Sequence, residues 1–106
     1  MHWLAGLVEG EGSFSWHAPR KHHKGQVRIQ VSMTDLDVLQ RAQSVAACGH
    51  IQGPYVYKRK NGSPAKPIWN WAVQKQGDVR DLMADLYPMM GARRQAKIIE
   101  CVGLMQ

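Results

Sequence analysis

Acidic side chains are scarce in this sequence, cysteine occurs twice and phenylalanine once. Cys48 and Cys101 make no disulfide framework, and without Cys-x-x-Cys spacing they make no zinc site, which fits a reducing interior. No apolar run reaches the roughly 18–20 residues that cross a bilayer, so no membrane partner is expected. The segment from Met1 to Glu9 is too short and too quickly acidic for a secretory signal. The expected location is therefore cytoplasmic and nucleoid-associated, or organellar or phage-encoded, and not secreted. At 106 residues the chain reads as a single domain, 1–106, with no room for a second domain holding a small-molecule cofactor. What is present suffices for one core: 44% of residues are hydrophobic and four are Trp, which argues against disorder.

The shortage of acid matters most by position. Eight Asp and Glu stand against 14 Lys and Arg, for a formal net charge of +6. Gly12 to Thr34 contains no carboxylate but carries Arg20, Lys21, Lys24 and Arg28. Val38 to Gly77 again contains none, and carries Arg41, Lys58, Arg59, Lys60, Lys66 and Lys75. Two acid-free stretches side by side in a fold give a continuous positive field, the electrostatic footprint of a nucleic-acid binder.

Hydrophobic periodicity divides the chain into eight elements. Trp3 to about Gly10 reads as a short apolar helix, with Gly6 and Gly10 four apart on one face. Two glycines there cost helix stability, which suggests that another backbone packs closely against them. Ser13 to His17 and Gln26 to Met33 alternate with a period of two and read as strands. Thr34-Asp35-Leu36-Asp37 resembles a capping box that opens a helix running to about Ala47. A third strand spans Ile51 to Lys58, interrupted by Gly53-Pro54, and a fourth spans Lys66 to Lys75. A helix from Asp78 to about Leu86 is broken by Pro88, and a last helix covers Ala92 to Val102. The expected fold class is α+β in the order α-β-β-α-β-β-α-α, with a four-stranded, largely antiparallel sheet packed under the helices.

Such a sheet buries Phe14, Trp16, Val27, Ile29, Val31, Met33, Trp69, Trp71 and Val73 under the helices. The opposite face then carries Ser13, Ser15, His17, Gln26, Arg28, Gln30, Ser32, Tyr57, Arg59, Ala72, Asn70 and Gln74. A face rich in Gln, Arg, Asn and Ser and free of acid offers donors and acceptors to base edges. Arg20, Lys21 and Lys24 in the first turn, and Lys60 beside the Asn61-Gly62 tip, are candidate phosphate contacts. His22 and His23 in the same basic turn read as backbone contacts to DNA rather than metal ligands. Met83, Met89 and Met90 read as packing residues.

The sharpest feature is Leu4-Ala5-Gly6-Leu7-Val8-Glu9-Gly10-Glu11-Gly12, followed by Ser13-Phe14. It is an apolar, small-residue helix that delivers a carboxylate at its C-terminal end, just before a strand. The segment resembles the namesake motif of the LAGLIDADG homing endonucleases. Leu4, Ala5, Gly6, Leu7 and Gly12 coincide with it, Val8, Glu9 and Glu11 are conservative replacements, and Gly10 keeps a small side chain. The element order, and the basic final-helix segment Met90-Gly91-Ala92-Arg93-Arg94-Gln95-Ala96-Lys97-Ile98, extend the resemblance over nearly the whole chain.

The resemblance implies a site-specific double-strand DNA endonuclease that uses Mg²⁺ or another divalent cation. Intron or intein mobility is the biological setting it suggests. It puts Glu11, with Gly10, at the metal, and Arg93 or Arg94 at an accessory catalytic position. It also implies a homodimer packed through Leu4, Gly6, Leu7 and Gly10, because the motif helices of the family meet at a two-fold axis. One motif copy supplies few acids, and metal-assisted phosphodiester hydrolysis wants several. Two copies of Glu11 converging at an axis in turn imply a palindromic or pseudo-palindromic site. Glu9 is expected to be structural. The chain departs from the family at Met33, which stands where a water-ordering polar residue is common, and near Asp37, where an Arg sometimes stands. The alternative reading is a non-cleaving DNA-binding or RNA-splicing maturase-like module. A basic structural protein of a ribonucleoprotein accounts for the charge but not for the motif.

Overall fold

The computed structural model describes residues 1–22, 24–56, 58–63 and 66–105. The elements are α1 (His2–Glu11), β1 (Gly12–His17), β2 (Gln26–Met33), α2 (Leu36–Ala46), β3 (His50–Tyr55), β4 (Ile68–Val73), α3 (Gln76–Leu86) and α4 (Ala92–Leu104). A 3₁₀ turn at Tyr87–Met89 carries Pro88 and separates the last two helices. The strands form one antiparallel sheet in the order β1-β2-β4-β3. The α+β architecture expected from the periodicity is the one observed. Among the described residues no helix is long and apolar enough to cross a membrane.

The sheet folds under its helices because its alternation is strict. On β2, Val27, Ile29 and Val31 are buried while Gln26, Arg28 and Gln30 are only half-buried. Phe14 from β1, Trp71 and Val73 from β4, and Leu4, Ala5 and Val8 from α1 join the same core. Each buried Val, Leu or Ile side chain contributes about 1.5–3 kcal/mol, so this face carries most of the stability. The Trp71 indole N–H donates to the Cys48 carbonyl at 3.1 Å, so the largest core side chain leaves no polar group unpaired. Gly49 passes directly over that ring at φ +86°, and a Cβ there would collide with the indole nitrogen.

Several element boundaries depart from the sequence expectation, and β4 covers only Ile68–Val73 of the expected Lys66 to Lys75. α2 starts at Leu36 with Asp35 as its N-cap: the Asp35 carbonyl accepts from the Val38 and Leu39 amides, and no side chain caps the helix. The Thr34 capping box therefore does not close. β3 stops at Tyr55, since its pairing with β4 slips between Gln52 and Tyr55, where Pro54 has no N–H to give. Arg59, expected near the end of that strand, lies in a turn beyond it, closed by the Arg59 N–H to the Ser63 carbonyl at 2.7 Å. α3 begins at Gln76 rather than Asp78. The Gln76 amide takes the place of a missing strand residue beside β2: it accepts from Val27 N–H and donates to the Val27 carbonyl, both at 2.9 Å.

Candidate functional site

α1 has two unlike sides. Leu4, Ala5 and Val8 fill the core, while His2, Gly6, Gly10 and Glu11 are exposed. Leu4, expected at a dimer interface, is 0% exposed within its own chain, so its side chain is committed to the core. Leu7 is half-buried and borders a groove between α1 and α2 with Trp3, Gly6 and Asp37. Arg41 closes that groove, its guanidinium carbon 4.2 Å from the Trp3 ring centroid. Among the described residues, and apart from the helix's own adjoining backbone, nothing lies within 4 Å of a Cβ built on Gly6 or Gly10. Within the chain, then, no contact requires either glycine, although each weakens the helix by roughly 0.5–1 kcal/mol relative to Ala.

The end of α1 that carries Glu11 is held by α4 through two complementary contacts. The Glu9 carboxylate accepts from the Gly91 N–H at 3.3 Å, at the N-terminus of α4. In return, Arg94 donates to the Gly12 carbonyl at 2.5 Å and to the Glu9 carbonyl at 3.2 Å, at the C-terminus of α1. An anion thus sits at one helix N-terminus and a cation at the other helix's C-terminus, both favourable for the backbone dipoles. Space for the first contact depends on Gly91, since a Cβ there would lie 2.8 Å from Glu9 Oε1. Gly12 is required as well, because a Cβ would lie 2.8 Å from the Val8 carbonyl where the chain turns from helix into strand. Arg94 is therefore engaged with backbone, and its buried Nε has no partner. Arg93 is exposed and borders a shallow depression with Ser13 and Lys97.

The open sheet face begins immediately beyond Glu11. Register sets Ser13 beside Gln30, Ala72 and His50, and sets Ser32 beside Asn70 and Gln52. Further along, Ser15 stands opposite Arg28, and His17 opposite Gln26. Ala72, expected to be outward, is fully buried between Gln30 and His50 because its side chain is too short to emerge between them. Ser32 donates to Asn70 Oδ1 at 2.9 Å, fixing that pair. Exposed His50 and Gln52 extend both rows onto β3 and were not among the residues singled out from the sequence. Their signal was the alternation around half-buried Ile51. Tyr57 and His23 lie outside the described residues.

At the end away from Glu11 the face hollows into a cavity of about 750 Å³, bordered by His17, Arg20, Lys24, Arg28, Gln74 and Gln76. Arg20, Lys21 and Lys24 are exposed on the loop between β1 and β2. His17 shares a 3.0 Å hydrogen bond with Ser15 Oγ. Desolvation, and then the guanidiniums of Arg28 and Arg20, hold its imidazole below the usual histidine range. Burial pushes both thiols up, Cys48 with help from Asp78, so neither is a ready nucleophile or metal ligand.

Among the described residues no three His, Cys, Asp or Glu side chains come together as a metal site. Each chain offers one exposed carboxylate at this end, that of Glu11, because Glu9 is turned to Gly91. An oxygen donor of this kind suits Mg²⁺ or Ca²⁺, although one carboxylate is by itself fewer donors than either ion takes.

No family model matches the chain, and no curated protein matches it. Solved structures do. I-CvuI bound to its target in the presence of Ca is 22% identical with a TM-score of 0.67, over 92% of this chain and 61% of that one. I-AabMI, a LAGLIDADG meganuclease bound to uncleaved DNA, is 15% identical with a TM-score of 0.70, over 97% of this chain and 35% of that one. I-GzeII, a LAGLIDADG homing endonuclease in complex with its DNA target, is 22% identical with a TM-score of 0.69, over 95% and 33%. The chain thus spans about three fifths of I-CvuI and about a third of the other two. Helix α1 with its terminal carboxylate, the sheet order β1-β2-β4-β3 and the helices over one sheet face together identify the chain's fold as that of the LAGLIDADG homing endonucleases.

Proposed function

We propose that the chain is a site-specific, divalent-cation-dependent DNA endonuclease that works as a homodimer on a palindromic or pseudo-palindromic site. The observation that carries this reading is the exposed Glu11 at the end of α1, between an open glycine face and an acid-free sheet face. Gly6 and Gly10 have no use within the chain, and close approach of a second α1 gives them one. Two Glu11 carboxylates, with the Gly10 carbonyls, would hold the cation between the two chains. A bound divalent cation lowers the pKa of water and neutralises charge on phosphate.

The remaining work falls to residues of the chain. Arg94 and Glu9 hold the turn that presents Glu11. Arg93 is free to meet a phosphate but is a poor general base, since its pKa is too high. Exposed Arg20, Lys21, Lys24 and Lys60 would follow the DNA backbone while Gln30, Ser32, Asn70 and Gln74 meet base edges in the major groove.

Selection of cleaved sites from a randomised DNA library with Mg²⁺ tests the reading. Symmetric sites cut by the wild-type chain, and bound but not cut by Glu11→Gln, are the expected result. Equal cutting by Glu11→Gln removes its assigned role, and a chain that stays monomeric on DNA contradicts the shared site. One observation favours a second reading, a non-cleaving DNA-binding or maturase-like module. Met33 packs against the core where related enzymes are expected to order water. Metal-independent DNA affinity with no product under any divalent ion would select that reading.

A further inference from the structure

We propose that Arg28 reads a guanine in the major groove of each half-site and that Gln26 is the residue that holds it in reading position. This rests on the DNA-binding reading above. Arg28 stands on β2, an inner strand flanked by β1 and β4, and is half-buried in the hollow of the open face. The Gln26 side chain lies two residues away on the same face, and with its amide turned so that the oxygen meets the donors it accepts from Arg28 Nε at 3.1 Å and Nη2 at 2.9 Å. Those bonds occupy one edge of the guanidinium and leave the Nη1–Nη2 fork for a partner. Among the described residues no carboxylate pairs with Arg28: the ion pair found is Lys97 with Glu100, on α4. The arginine is therefore steadied by a neutral amide and keeps its full charge.

A cation fixed in advance loses less freedom when a ligand arrives, so its geometry can discriminate. The free fork presents two parallel donors, and guanine alone among the bases presents two acceptors, N7 and O6, on its major-groove edge. Adenine sets a donor beside N7, cytosine offers a donor, and thymine has one acceptor. A phosphate also matches a guanidinium fork. Register decides between them: Arg28 lies inside the paired β1–β2 ribbon, opposite Ser15, where a strand laid in the groove meets bases, whereas Arg20 and Lys24 stand on the loop beyond that ribbon, where the backbone passes.

The test is selection of bound duplexes from a randomised library, without cleavage, using the full chain. Guanine is expected at one position of each half-site. Arg28→Ala should erase the preference there and nowhere else, costing about fivefold to a hundredfold on the guanine-containing site. Arg28→Lys keeps the charge but not the fork and should erase it too, which covers the case in which the alanine variant fails to fold. Gln26→Ala should weaken the guanine preference with Arg28 intact, Gln26→Glu, which sets a carboxylate against the guanidinium, should not restore it, and a preference unchanged by Gln26→Ala overturns the positioning role. Uniform weakening across all sequences by Arg28→Ala, with a shallower salt dependence, would mark a phosphate contact and overturn the proposal. An enriched site with no Arg28-dependent guanine overturns this proposal alone. No enrichment by the wild-type chain overturns the DNA-binding reading and this proposal together.

Discussion

The two faces of the sheet are built from alternate residues of the same strands, and they differ in almost every property. The covered face holds Val27, Ile29, Val31, Trp71 and Val73, all essentially inaccessible to water. The open face holds Ser15, Arg28, Gln30, Ser32 and Asn70, polar side chains of which Ser15 bonds to His17 and Ser32 to Asn70. Stability is concentrated on the first, and the proposed recognition of DNA falls to the second. α1 repeats the division at smaller scale, with Leu4 and Val8 inward and Gly6 and Gly10 outward. A mutation should therefore cost folding or binding according to the parity of its position along the strand.

The hardest test of that division is Trp71→Ala against Gln30→Ala. Trp71 is fully buried, and its removal also leaves the Cys48 carbonyl without its donor. A loss of about 3–5 kcal/mol is expected, a large share of the stability of a domain this size. Gln30 is on the neighbouring strand, one residue off the opposing Trp71–Val31 pair, and Gln30→Ala should stay within about 0.5 kcal/mol. Urea unfolding of both variants reads the difference. Comparable losses would mean that the open face carries stability of its own.

Arg94 and Arg93 sharpen the comparison at the Glu11 end, where neighbours in sequence have opposite surroundings. Arg94→Ala strips two carbonyls at the end of α1 of a charged donor and should cost about 1.5–3 kcal/mol in the same assay. Arg94→Lys should recover little, because a single ammonium does not span both carbonyls with a planar fork. Arg93→Ala should leave stability within about 0.5 kcal/mol and show itself on DNA instead. The reverse order would mean that the guanidinium that positions Glu11 is Arg93.

What could be read from the sequence follows the same division. Alternation over Gln26–Met33 betrays a strand with one buried face because a shift of one residue would invert it. The motif in α1 is contiguous, so it too is visible. Contacts that depend on distant residues are not: Arg94 meets Gly12 across 82 positions, and nothing local separates it from Arg93. Gln76 substitutes for a strand residue 49 positions from Val27, which hides the true start of α3. Ala72 has the right parity for the open face but not the length to reach it. His50 and Gln52 become part of that face only when β3 pairs with β4, a long-range event that their own sequence does not encode.

The smallest effect expected is on pH, and it carries opposite signs for folding and for DNA binding. The His17 imidazole is held below its ordinary range of about 6.5 by desolvation, then by Arg28 and Arg20, so the folded chain resists its protonation more than the unfolded chain does. Its contribution to stability is present above the unfolded pKa and is lost as pH falls through the folded one, because the unfolded state then binds the extra proton. A phosphate brought near His17 by DNA would do the reverse, favouring the charged ring and coupling binding to proton uptake. Acidification from about pH 7 towards 5 should therefore lower the unfolding free energy while raising DNA affinity. His17→Asn should flatten both slopes, measured by urea unfolding and by binding titrations at matched ionic strength. A flattened stability slope with an unchanged binding slope would put His17 on the open face but out of reach of the phosphates.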